Sequence, residues 1–157
     1  MKSAPHLLHD LDGSNTEIAT QYAALCLRVR KKKLQVLMIT SRRNRRWVLP
    51  KGWPMDGKSG AETAAQEAWE EAGVRGKCSN DSIGMYTYIK EAEKKEEVDQ
   101  PCAVMVYPLK VKSLAGKHPE KGQRVRKWMS CKKAARKVWE PELAELLRGL
   151  KQDVLKL

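Results

Sequence analysis

The hydrophobic pattern of this chain changes period several times, and each change marks an element. Residues 22–29 (YAALCLRV) and 34–40 (LQVLMIT) are apolar runs separated by the charged turn 30–33. Apolar runs of about four to eight residues between turn signals predict buried strands, here paired as a hairpin. Trp47, Val48 and Leu49 form a short third strand. Pro50 stops it, because proline lacks a backbone donor and restricts the residue before it. The period then lengthens: Ala61, Ala64, Ala65, Ala68 and Ala72 fall within one helical arc of about 100°. Ser59 and Glu62 stand at capping-box spacing, and Gly73 supplies a left-handed stop. Strand-like runs return at 74–78, 83–89, 102–111 and 125–129, and the charged run 90–100 is an exposed loop or hairpin tip. Pro108 predicts an edge or a bulge in the third of these. Ser130 caps a helix through about residue 138, and Pro141 opens a last one over 141–155.

Strands, a helix, more strands and terminal helices predict an α+β fold, with helices covering a mixed sheet. Residues 1–18, with turn formers at Asp12, Gly13, Ser14 and Asn15, are expected to be a mobile N-terminal arm. Residues 19–157 are expected to form a single domain.

Composition narrows the function. No apolar run approaches the roughly 18 residues of a membrane helix, so no membrane partner is expected. Residues 1–15 have neither a long apolar core nor an arginine-rich pattern, so neither a secretory signal nor a transit peptide is expected. Cys26, Cys78, Cys102 and Cys131 include no C-x-x-C pair, which argues against a zinc site and for reduced thiols in a cytoplasmic protein. The formal net charge is +12, which favours a polyanionic partner. Residues 28–46 contribute nine lysines and arginines and no acid. A polyphosphorylated small molecule suits such a cluster, since guanidinium forks match phosphate oxygens. Nucleic acid is not favoured: aromatic residues are only 6%, with no phenylalanine, which leaves few stacking platforms.

Three carboxylates concentrate at the end of the predicted helix: Glu67, Glu70 and Glu71. The commonest meaning of such a string is a solvated face. Here the three charges repel one another near a helix C-terminus, where the macrodipole disfavours anions. They also follow a loop rich in glycine and proline, residues 50–60. Carboxylate oxygens are hard ligands suited to Mg2+ or Mn2+, whose coordination substrate phosphates complete.

These residues resemble the Nudix hydrolase motif: glycine, five residues, glutamate, seven residues, then R-E-U-x-E-E-x-G-U with U aliphatic. Gly52 opens the motif, and residues 67–74 (EAWEEAGV) close it at matching spacing. Lys58 stands where the family has glutamate, and Gln66 where it has arginine, so the usual structural pair is replaced on both sides. Glu62, four residues from each, is the expected new partner of one of them. Across residues 22–130, AALCLRV, VLMITSRRNRRWVLPKG and RVRKWM resemble the diphosphoinositol polyphosphate branch of the superfamily. Pro50, Lys51 and Gly52 look like the dinucleoside polyphosphate hydrolases.

The resemblance implies an α/β/α sandwich with the loop and helix of the motif on one side of the sheet and the C-terminal helices on the other. It implies a Mg2+-dependent pyrophosphohydrolase, with Mn2+ as a substitute, cleaving a diphosphate linkage by water attack at phosphorus. Glu67 and Glu71 match metal ligands, and the Lys51 carbonyl matches a third. Glu70 matches the proton acceptor. Thr40, Ser41, Arg42, Lys51 and Gly52 match the substrate-binding stretch. Trp47 is expected to pack in the core under the helix, and Trp53 either stacks on a base or packs on the surface. A glutamate of the 90–100 loop, Glu96 or Glu97, is a further candidate for the site. Two other readings stand beside this one: an RNA 5′-end pyrophosphohydrolase, and a silent Nudix-fold module that binds a phosphorylated ligand.

Overall fold

A computed structural model describes residues 7–9 and 17–157. The expected N-terminal arm lies largely outside the described residues. Its described parts are strand: β1 (Leu7–His9) pairs with the start of β2 (Glu17–Arg30). β2 thus begins five residues before the apolar run that predicted it.

β2 and β3 (Lys33–Thr40) form the expected hairpin, with Arg30 opposite Lys33. Both residues of its turn, Lys31 and Lys32, have positive φ, 51° and 63°. A two-residue hairpin needs that conformation to match the twist of its strands, and Asn-Gly is the sequence that adopts it most readily. Lysine has no such ease. Replacing Lys31→Asn together with Lys32→Gly is therefore expected to stabilise the fold by about 1–2 kcal/mol. Urea unfolding checks this, and an unchanged or lower midpoint would contradict the turn geometry.

After β4 (Trp47–Val48), Pro50 ends the strand as expected, and β5 (Lys51–Gly52) pairs with Tyr22 and Ala23 of β2. This two-residue strand carries no apolar periodicity, so only the tertiary pairing reveals it. Helix α1 (Gly60–Ala72) has both halves of the capping box on Ser59 and Glu62. Gly73 ends it at φ 69°. β6 (Val74–Cys78), β7 (Gly84–Lys90), β8 (Gln100–Leu114) and β9 (Arg126–Ser130) follow. Then come α2 (Cys131–Lys137), capped by Ser130, and α3 (Pro141–Arg148).

The strands make one mixed sheet whose main order is β4-β3-β2-β8-β6, with β9 added to β3 and β7 to β8. β2 and β8 run parallel at its centre. Two cores lie on its two faces. On one, Ala64, Ala68 and Ala72 of α1 pack on Ala24, Cys26, Leu37 and Ile39, the small side chains letting the helix lie close. On the other, Leu143, Ala144 and Leu147 of α3 and Ala134 and Ala135 of α2 pack on Leu25, Leu27, Val36 and Val104. The expected α/β/α sandwich is what forms.

Three expectations need correction. Pro108 marks no edge: β8 is central, and Pro108 pairs with Leu25 of β2. It sits where β7, which pairs up to Val106, gives way to β6, which pairs from Leu109, so no ladder bond there needs its missing N–H. Its carbonyl instead accepts from Ser79 N at 2.8 Å. The last helix ends at Arg148, because Gly149, a poor helix former, closes it, and a short 3-10 turn (Gln152–Leu155) follows. Trp47 packs against the α2 and α3 core, on the face opposite α1, because it points to the other side of the sheet from Val48.

Candidate active site

The sheet edge formed by β5 runs against the second half of α1, and this contact builds the site. Glu67 is fully buried and Glu71 is 6% exposed, although both are acidic. Their spacing of four residues stacks them on one face of the helix. Gly52 lies directly beneath: a Cβ at this position would overlap the Glu67 carboxylate. The glycine of the motif is thus a space requirement, not a conformational one. The backbone N–H of Lys51 donates to Glu71 Oε1 at 3.4 Å.

Burial pushes the Glu71 carboxyl well above the ordinary carboxylate range, and a hydrogen bond with Glu67 adds to this. Arg124 opposes the shift, with its guanidinium 3.7 Å from Glu71 Oε1. The Lys51 ammonium lies over the ring of Tyr88, 5.0 Å from its centroid, and burial holds its pKa below the ordinary lysine value. Among the described residues no group of three or more His, Cys, Asp and Glu side chains converges as a metal cage. A site for Mg2+ does not require one, since this ion is held by one or two carboxylates together with water and substrate phosphates. Two buried carboxylates on one helical face, against bare backbone at Gly52, fit that demand.

Glu70 is half-buried, between the two on the helix. Its carboxylate has no hydrogen bond or ion pair with another described residue. Its carbonyl accepts from Glu120 N at 2.9 Å and lies 3.0 Å from His118 Nδ1. Arg126 donates to the Ala72 carbonyl at 2.6 Å and Ala115 N to that of Gly73 at 2.8 Å. The segment from 115 to 126 therefore satisfies the C-terminal carbonyls of α1, which helix geometry leaves unpaired.

Beside the carboxylates opens a pocket of about 190 Å3. Ser41, Arg42 and Lys51 line it, together with Arg46, Tyr88 and Arg124. Its loop is closed by Ser41 N donating to Arg46 O at 2.8 Å and by Arg46 N donating to Ser41 Oγ at 3.2 Å. Thr40 lies behind the pocket and is buried; its hydroxyl accepts from Val125 N at 2.9 Å, and its carbonyl accepts from Arg124 at 3.2 Å. It positions the loop and Arg124 and does not face the cavity. Glu91 and Glu93 line the same pocket, whereas Glu96 and Glu97 line a separate groove beside Trp53.

The sequence reading missed Arg124, Arg46 and Glu140 as members of this site. Arg124 also pairs with Glu120 at 3.2 Å, and Glu140, 8% exposed, pairs with Arg46 at 4.0 Å. Nothing local singles out Arg124 and Glu140, because strand pairing and helix packing bring them in from residues 120–140; Arg46 lies in the same loop as Ser41 and Arg42, where the sequence shows it only as one of a run of basic residues. The replaced pair also resolves. The Glu62 carboxylate is taken by Ser59 N at 2.9 Å, and Lys58 and Gln66 line an outer groove with Trp69 and Arg75. The loop is held by the capping box and by the β5 pairing.

Residues 19–150 match the NUDIX domain. The chain belongs to the Nudix family. It is 33% identical over 130 residues to Nudix hydrolase 13, mitochondrial, of Arabidopsis thaliana, covering 78% of this chain and 64% of that protein. Among solved structures it resembles the Ap4A hydrolase of C. elegans, with a TM-score of 0.58 at 18% identity over 83% of this chain and 94% of that one. It also resembles the NUDIX domain of Shewanella oneidensis NrtR complexed with ADP ribose, with a TM-score of 0.60 at 13% identity over 89% and 90%. At such identities the likeness speaks for the Nudix fold alone. The Nudix motif of this chain is the stretch that carries Gly52, Glu67 and Glu71 into contact.

Proposed function

We propose that this chain is a Mg2+-dependent Nudix pyrophosphohydrolase that cleaves a diphosphate linkage in a polyphosphorylated small molecule. The observation that carries this reading is the stacking of Glu67 and Glu71, buried beside Gly52, with Glu71 contacted by Lys51 and Arg124, two residues that line a pocket also rimmed by Arg42 and Arg46. When bound, Mg2+ supplies charge neutralisation and polarises a phosphoryl oxygen. Glu67, Glu71 and the Lys51 carbonyl would hold it. The three arginines and Lys51 bind the phosphate chain, and Ser41 orients one phosphate by hydrogen bonding. Glu70 takes the proton from the attacking water. One new O–P bond forms, the bridging P–O bond breaks, and its electron pair leaves on the departing phosphate. Positioning and electrostatics account for most of such an acceleration.

Between the two substrate types, the pocket favours a dinucleoside polyphosphate. At about 190 Å3 it accommodates part of a phosphate chain and leaves flanking groups outside. Glu91 and Glu93 on its rim would repel the crowded phosphates of a diphosphoinositol polyphosphate. The test is phosphate release with Mg2+ or Mn2+ on dinucleoside polyphosphates, nucleoside diphosphate sugars, inositol pyrophosphates and 5′-triphosphorylated RNA. Turnover of dinucleoside polyphosphates that falls by about 10²–10³-fold in Glu70→Gln is expected. Full turnover by that variant would remove Glu70 from its role, and absence of turnover on every substrate would favour a binding module.

A further inference from the structure

Two acid-free segments, far apart in sequence, are joined by the pairing of β3 with β9. Residues 28–46 hold nine basic residues and residues 121–139 hold eight, with no carboxylate in either. Arg42, Arg46 and Arg124 belong to the phosphate pocket. Ten others form a surface outside it: Arg28, Arg30, Lys31, Lys32 and Lys33 on the hairpin, and Lys127, Lys132, Lys133, Arg136 and Lys137 on β9 and α2. None of the ten pairs with a described carboxylate within 4 Å.

Register brings both segments to one edge of the sheet. Arg28 lies opposite Gln35, which lies opposite Ser130, the cap of α2; Trp128 packs on the α1 face and α2 on the other, so the charges flank the β9 edge on both sides. Arg28 donates to Gln35 Oε1 at 2.8 Å and stacks on Trp128 of β9, 4.0 Å from the ring centroid. The charges of Lys127 first, then of Lys137 and Arg136, hold the Lys133 ammonium below its ordinary pKa, a sign of how tightly they crowd.

The fold accepts local costs to keep this surface. Arg30 and Lys33 face each other across the hairpin, where like charges destabilise. Lys31 and Lys32 adopt positive φ, which glycine or asparagine would adopt with less strain. A lysine or two would suffice to protect the exposed edge strand β9 from pairing with another chain. Ten cations without a described carboxylate partner exceed that need.

We propose that the β2–β3 turn, β9 and α2 form a docking surface for single-stranded nucleic acid, separate from the phosphate pocket. The chemistry favours this over an anionic membrane. A membrane-binding helix presents apolar side chains beside its cations, whereas Ala134 and Ala135 of α2 face the core and its outward positions are Lys132, Lys133, Arg136 and Lys137. Arg28, its guanidinium carbon 4.0 Å over the Trp128 ring, offers the cationic group beside an aromatic that unpaired nucleotides use. The inference does not rest on the hydrolase reading, since it concerns the phosphodiester backbone and no anhydride.

The test is fluorescence anisotropy with a 3′-labelled single-stranded RNA bearing a 5′-hydroxyl, so that the Nudix site has nothing to cleave. Binding should weaken with salt, with a log–log slope near −3, as expected for about four or five neutralised phosphates. Reversing Lys133→Glu, Arg136→Glu and Lys137→Glu together should weaken binding at least tenfold and leave hydrolysis of a small pyrophosphate within twofold. Lys94→Glu, Lys95→Glu and Lys112→Glu, an equal change in net charge elsewhere, should leave RNA affinity within twofold. Three results would each overturn the proposal: no RNA binding at low salt, equal losses in both triple variants, or tighter binding to phosphatidylserine vesicles that the α2 reversal abolishes.

Discussion

Glu71→Gln is expected to lower phosphate release on the order of 10³-fold with Mg2+ present while the fold persists, because it removes a negative charge from the proposed metal site without changing shape. It is also expected to separate metal binding from folding. A carboxyl whose pKa rises on folding contributes stability that is full below its unfolded value and is lost as pH rises through its folded one. Glu71 is such a group, held high by burial and then by Glu67. Metal-free wild-type protein should therefore lose stability through this group from acid towards neutral pH, and the glutamine variant should not. Thermal melts in EDTA should place the variant above wild type at the upper end of that window, with the two converging at acid pH. Excess Mg2+ should raise the wild-type melting temperature and leave that of the variant unchanged. Equal melting in EDTA at every pH, together with equal Mg2+ stabilisation of both, would contradict the assignment of Glu71.

Gly52→Ala is expected to cut turnover about 10²-fold at the cost of a single methyl group. A Cβ there would overlap the Glu67 carboxylate, so either the carboxylate or β5 must shift. Forced shifts of this kind cost about 1–3 kcal/mol in a packed interior. The pairing of β5 with Tyr22 and Ala23 is short and has little rigidity to spare. Gly116→Ala is the control: a Cβ there meets nothing within 4 Å, and its backbone needs no positive φ. Steady-state kinetics and a urea titration on both variants check this. Wild-type kinetics in Gly52→Ala would mean that the carboxylate does not need its observed place.

The helix and its caps were legible because their causes are local. Ser59 and Glu62 satisfy backbone donors within a single turn, and Gly73 ends the helix through its own φ. The alanine spacing told which face is buried, and the spacing of the glutamates told that they stack. The apolar runs of β2 and β3 announce a hairpin because only the short charged stretch 30–33 separates them. Where the sequence reading failed, the deciding force was not local. Pro108 predicts an edge or a bulge, and it lies in a central strand, where its missing donor falls in the gap between two partner strands. Trp47 went to the other core because the sheet has two buried faces and alternation alone does not say which helix covers which.

The sequence by itself determined the family, the carboxylate helix and the excess of positive charge, since each depends on residue type and short spacing. Only the tertiary structure decided that Glu67 and Glu71 are buried, because their burial requires β5 and the bare Cα of Gly52 to arrive from outside the helix. Only it brought Arg124 to Glu71, through a contact across 53 positions of chain. It also turned one basic run into a surface: in the sequence residues 28–46 and 121–139 are strangers, and the β3–β9 ladder makes them neighbours. Strand pairing is the physical reason in both cases, since it is the interaction that joins residues without regard to their distance along the chain.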